Sequence, residues 1–196
     1  MPDDNYISQI KDFAIINSER DDIHGFKHIE RVYNTCIHIG KEMHANLLVL
    51  KIAALLHDIG RTKEKEKFND MNHAEISAQI ATDFLKTRNF NLSQDDFDNI
   101  IHSIKAHSFS LKLKPETLES KILSDADKLD AIGAIGLYRT IGFTVKNADG
   151  IEQVIEHLEN KIMKLKDLIY LDISRKIAEE RQESIFDFYN RIKKEK

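Results

Sequence analysis

Tryptophan is absent, cysteine occurs once, proline twice and glycine seven times in 196 residues. A lone cysteine excludes an internal disulfide, and the apolar surroundings of Cys36 are those of a buried thiol in a reducing compartment, not of a nucleophile. With so few helix breakers, the chain is left with Ile, Leu, Lys, Glu and Ala, which lose little freedom in a helix. The expected fold class is all-α. No run approaches the roughly 20 apolar residues of a membrane span, and the opening MPDDNYISQIKDF carries neither a basic nor an apolar leader. We therefore expect a cytoplasmic protein with no membrane partner. A net charge of -4 supplies no global positive field, which argues against polymeric nucleic acid as a partner while permitting a local basic pocket. What is present is a 41% hydrophobic and 32% charged composition, enough to bury one core in one domain spanning 1–196.

Helical spacing of Tyr6, Ile10, Phe13 and Ile16 predicts a first helix over about 4–19, and Phe26, Ile29, Val32, Tyr33, Cys36 and Ile37 predict a second over about 25–44. From Leu47 to Leu56 nearly every residue is apolar, so this helix has no wet face and belongs in the middle of the fold. It runs into His57-Asp58-Ile59-Gly60, where Gly60 suits a left-handed C-terminal position. The charged stretch 61–70 reads as an exposed loop, its KEKEK run a solvated face. Asn72 with Glu75 and Ser93 with Asp96 mark two helix starts, leading to about 88 and to His107. Pro115 suits the first position of a helical region reaching about 143, interrupted by glycines. Two amphipathic segments, about 151–168 and 171–193, form an expected C-terminal hairpin packed on the core.

Placement of polar groups carries the chemical signal. His57 and Asp58 end the most apolar helix, where a desolvated carboxylate demands a cationic partner. Asp127, within SDADKLDAIGAIG, and His28, near the start of an inward-facing helix, pose the same question. Two neutral imidazoles and two carboxylates neutralise a divalent ion and leave room for water in an octahedral shell, which suits Mn²⁺, Mg²⁺ or Fe²⁺. Taken singly, each residue also has a structural role open to it: a core histidine, a helix-end hydrogen bonder, a cap.

Together, His28, the dyad His57-Asp58 and Asp127 resemble the H…HD…D signature of the HD-domain superfamily of metal-dependent phosphohydrolases. HGFKHIERV, LLHDIGR, NHAEISA, SDADKLDAIGAIGLYR and the tail HLENKIMKL…AEERQESIFDFY resemble one compact microbial subgroup over about residues 20–190. Gly25 departs from it, standing where the subgroup often has Asp after its first His. The resemblance implies an HD-type helical bundle and one divalent ion, Mn²⁺ or Mg²⁺ first and Fe²⁺, Co²⁺ or Ni²⁺ after them, held by His28, His57, Asp58 and Asp127. It implies attack of a metal-bound water on phosphorus in an ester or anhydride, with a nucleotide the favoured substrate.

Asp58 is then both ligand and proton acceptor. His73 and His107 match positions where such proteins present further catalytic histidines, which hold a second metal, orient the phosphate or donate a proton. His24, one turn before His28, either lines the pocket or caps the surface. Arg61 and Lys128 are candidate phosphate clamps, because an anionic substrate needs cations about the metal. Arg31 and Arg139 read as partners in helix-to-helix ion pairs, and His38, His44, His102 and His157 as surface or packing residues. Two other functions stay open: a di-iron oxygenase of the same fold and a non-catalytic nucleotide-binding regulator. The protein is expected as a monomer or homodimer.

Overall fold

A computed structural model describes residues 2–64, 71–88 and 90–196. The chain divides into two compact units, residues 1–124 and 125–196. Among the described residues no strand forms beyond an isolated bridge between Glu19 and Gly25, and no helix is long and apolar enough to cross a membrane. The fold is all-α, as composition predicts.

In the first unit, α1 (Pro2–Asn17), α2 (Phe26–Glu42), α3 (Leu47–Leu56), α4 (Arg61–Glu64), α5 (His73–Arg88) and α6 (Gln94–Ala106) follow in order. Helix α3 packs against α1, α2, α5 and α6. Its all-round apolar surface explains this: Val49, Leu50, Ile52, Ala53, Ala54, Leu55 and Leu56 are all buried, and each large one stabilises the fold by about 1.5–3 kcal/mol. Asn46 starts α3 by accepting from the backbone of Leu48 and Val49, and buried Glu119 receives the Asn46 N–H at 2.8 Å. The expected cap of α5 is present, since Asn72 Oδ1 accepts from Ala74 N–H and Glu75 returns to Asn72 N–H. Ser93 likewise accepts from Asp96 N–H at the start of α6.

Three expectations are corrected. Residues 61–64 are helical instead of looped; the remainder of that expected loop, 65–70, lies outside the described residues. Pro115 does not open a helix. Helix α7 (Leu118–Asp130) starts after Thr117, whose hydroxyl accepts from Ser120 N–H while Ser120 Oγ accepts from Thr117 N–H, a reciprocal cap stronger than the proline signal. Gly60 is not left-handed; among the described glycines only Gly133 has positive φ, at 95°. Gly60 is needed for close packing instead, because a Cβ there would lie 2.6 Å from both His73 O and Ser77 N.

The boundary between the units falls within α7. In the second unit follow α8 (Ala134–Lys146), α9 (Ile151–Asn160), a 3-10 helix (Ile162–Leu168) and α10 (Asp172–Glu195). Left-handed Gly133 breaks α7 from α8, and Arg181 Nη1 donates to Leu129 O at 2.8 Å, satisfying a carbonyl of the last turn of α7. Arg139 of α8 pairs with Asp130 of α7 at 2.8 Å, the helix-to-helix role expected of it. Helix α8 packs on α9 and α10, and the 3-10 helix packs on both of those.

Candidate metal centre

Helices α3 and α6, which pack on each other, end in the same way. His57 terminates α3 with helical backbone angles and its Nδ1–H donates to Ala54 O at 2.8 Å. His107 terminates α6 likewise and donates to Ile104 O at 2.6 Å. A carbonyl only accepts, so Nδ1 carries the proton in both rings and the neutral imidazole keeps its lone pair on Nε2. Both helices thereby present a nitrogen able to ligate a metal, on a ring fixed by its own backbone.

Asp58, the next residue after His57, is fully buried and lies among four imidazoles. Its Oδ2 is 3.4 Å from His28 Nε2 and 3.7 Å from His57 Nε2, and those two nitrogens are 3.3 Å apart. Its Oδ1 is 3.4 Å from His107 Nε2 and 3.6 Å from His73 Nε2. His28 sits in the first turn of α2 and His73 opens α5, both buried. The close approach at Gly60 explains the position of His73: Gly60 N–H donates to Ser77 Oγ at 2.9 Å, which ties the first turns of α5 to the turn that carries Asp58.

Two sets of three ligand atoms result, His28–His57–Asp58 and Asp58–His73–His107, with the carboxylate shared. Ligands held at about 2.0–2.2 Å from one ion stand roughly 3 to 4.4 Å apart, so the observed separations fit a common cation. Among the described residues, Asp58 Oδ1 and His107 Nε2 are buried and make no hydrogen bond. Leaving such atoms unmatched costs on the order of 1–3 kcal/mol each, and a divalent ion at the Asp58–His73–His107 set would meet both. Both sets are compatible with a divalent ion, and His28–His57–Asp58 brings together three of the four ligands expected from the sequence.

Arg61, the first residue of α4, donates from Nε to Asp58 Oδ2. Burial pushes the Asp58 carboxyl up, and the Arg61 guanidinium with the neighbouring imidazoles overcomes this, holding it well below the usual carboxylate range. This ion pair was missed in the sequence, where Arg61 reads as a phosphate clamp; its signal was the three-residue spacing from Asp58.

The other candidates are placed as follows. His24 lies half-buried in the turn before α2, its backbone N–H donating to Asp21 Oδ1 at 2.9 Å. Asp127 and Lys128 lie on α7 within the second unit. Lys128 is buried with Nζ 5.1 Å from the Tyr170 ring centroid, and burial lowers its pKa while Asp125 and Asp127 oppose that. Arg31 donates to Asp22 O, and His102 Nε2 accepts from Glu116 N–H.

Comparison with known proteins gives three kinds of match. The HD domain model matches residues 25–132. The YpgQ protein of Bacillus subtilis is 29% identical over 180 residues, 88% of this chain and 84% of that one. Its crystal structure in complex with ADP superposes with a TM-score of 0.77 at 27% identity, covering 100% of this chain and 97% of the other. A predicted HD superfamily hydrolase from an uncultured Thermotogales bacterium gives a TM-score of 0.68 at 28% identity, covering 97% and 91%. Ribonuclease Y of Treponema denticola is 30% identical over 118 residues, 60% of this chain but 20% of that protein.

Proposed function

The chain belongs to the HD-domain family and has the fold of HD superfamily hydrolases, and on that footing we propose that it is a metal-dependent phosphohydrolase cleaving a phosphate ester or anhydride of a nucleotide. The observation that carries the reading is the buried carboxylate of Asp58 set between two pairs of imidazole nitrogens. We assign His28, His57 and Asp58 to the metal, and add Asp127 on the order of the H…HD…D signature. The bound ion, Mn²⁺ or Mg²⁺ first, would supply Lewis acidity toward water and phosphoryl oxygen. Asp58 accepts a proton through Oδ1, the oxygen that carries no hydrogen bond among the described residues. His107 and His73 orient the phosphate or return a proton to the leaving group, each having Nε2 on that side of the carboxylate. His24, Arg61 and Lys128 are the substrate contacts. The ADP in the YpgQ crystal structure supports a nucleotide, and the partial likeness to Ribonuclease Y agrees with phosphoester chemistry.

The test is a screen of nucleotides and sugar phosphates with added Mn²⁺, reading orthophosphate and pyrophosphate separately. Release from one nucleotide class is the expected result. Inactivity across the panel with Mn²⁺, Mg²⁺, Co²⁺ and Ni²⁺ would favour a nucleotide-binding regulator instead. The second triad, Asp58–His73–His107, favours one further reading, a two-ion centre. Two tightly held irons after anaerobic purification, with no phosphatase activity, would make it a di-iron oxygenase.

A further inference from the structure

We infer that Arg61 is a two-position arginine that neutralises Asp58 before a divalent ion binds and turns to grip a phosphoryl group once it has, so that metal and phosphate bind cooperatively. The inference rests on the proposed metal assignment and goes beyond it.

The geometry at one oxygen carries it. Asp58 Oδ2 accepts from Arg61 Nε, and the same oxygen stands 3.4 Å from His28 Nε2 and 3.7 Å from His57 Nε2. An ion held by His28, His57 and Asp58 uses the oxygen that the guanidinium already holds. Two cations on one buried oxygen repel, and the desolvated surroundings strengthen that repulsion. Oδ1 offers no relief, because it faces His73 and His107 instead. Metal binding therefore works against the Arg61–Asp58 pair.

The arginine is built to yield. Its side chain is 21% exposed whereas the Asp58 carboxylate is 0% exposed, so the guanidinium stands at the solvent side of the pair. Its backbone N–H donates to Asp58 O at 3.2 Å, which anchors the residue while the side chain turns about its own bonds. A guanidinium released there keeps five donors in a planar fork, the geometry that matches two oxygens of a phosphoryl group. A bound phosphate rewards the released position, so it must favour the metal by the same factor by which the metal favours it.

Titration of the full chain with Mn²⁺, followed by electron paramagnetic resonance of the free ion, tests this with and without inorganic phosphate. For the unaltered chain, phosphate should tighten Mn²⁺ binding about tenfold, within the ordinary range of coupling between sites. Arg61→Gln should bind Mn²⁺ about fivefold more tightly without phosphate, and phosphate should then change its affinity less than about twofold. Arg61→Lys, which keeps the charge and loses the fork, should bind Mn²⁺ more weakly than Arg61→Gln and show reduced coupling. Equal or weaker Mn²⁺ binding in Arg61→Gln, or tenfold coupling surviving in it, overturns the inference. Mn²⁺ binding by the unaltered chain without any phosphate effect overturns it while leaving the metal assignment intact. Failure of the unaltered chain to bind Mn²⁺, Mg²⁺, Co²⁺ or Ni²⁺ overturns both.

Discussion

Residues 1–124 and 125–196 both bury carboxylates, and Asp58 of the first is surrounded unlike Asp125 and Asp130 of the second. In the second unit Asp125 and Asp130 are matched by groups of that unit. Asp125 accepts from the backbone N–H groups of Tyr170 and Leu171, both at 2.9 Å, and Asp130 takes Arg139 at 2.8 Å. In the first unit, Asp58 faces four imidazole nitrogens at 3.4–3.7 Å, beyond good hydrogen-bond range, and Oδ1 has no hydrogen bond among the described residues. Matched charge holds helices together, as at α7 and α8. Asp58, bonded at one oxygen by a partly exposed arginine and without a hydrogen bond at the other among the described residues, is compatible with an external cation.

If that contrast is real, substitutions in the two units should fail differently. The largest effect belongs to Asp58→Ala, which should lose Mn²⁺ binding and at least about a thousandfold in turnover while staying folded; full activity would break the contrast outright. His107→Ala, in the same cluster, should keep the metal and lose about 10²–10⁴ in rate. Next comes Arg139→Met, which removes a charged partner of buried Asp130. It should cost about 3–5 kcal/mol in urea unfolding, with Mn²⁺ affinity per folded molecule unchanged; a stable variant that no longer bound Mn²⁺ would move Arg139 into the site.

The smallest effect is a pH dependence at Asp125. Burial raises its pKa, more than its backbone donors, Lys128 and Ser174 lower it. A carboxyl with a raised folded pKa binds more protons folded than unfolded, so its contribution to stability is present at low pH and fades as pH rises through the folded value. Relative to Asp125→Asn, the unaltered chain should therefore gain stability between about pH 7 and about pH 4, read from urea midpoints at each pH. A gap that does not move would sharpen the contrast by making Asp125 purely a hydrogen-bond acceptor.

Much of this was legible before any coordinates. The run Leu47–Leu56 could only be a helix covered on all sides, and Asn72 with Glu75 and Ser93 announced α5 and α6 through capping chemistry that acts within four residues. His57 and Asp58 stood out because a carboxylate at the end of so apolar a helix needs a reason. What the sequence hid was tertiary. Gly60 invited a local explanation, and only the approach of α5 shows that it is small because His73 O and Ser77 N come within 2.6 Å of where its Cβ would be. The two oxygens of Asp58 are indistinguishable in a sequence, so neither the division of four histidines between them nor the competition at Oδ2 had any local signal. The start of α7 was misjudged because Pro115 and Thr117 both mark helix starts, and the reciprocal hydrogen bonds of Thr117 and Ser120 decided between them.

What matters most is whether His28, His57 and Asp58 hold one divalent ion. An anomalous-difference map from crystals of the Mn²⁺-loaded protein tests it most directly. One strong peak is expected within about 2.0–2.3 Å of His28 Nε2, His57 Nε2 and a carboxylate oxygen of Asp58. A peak away from the two imidazoles would contradict this.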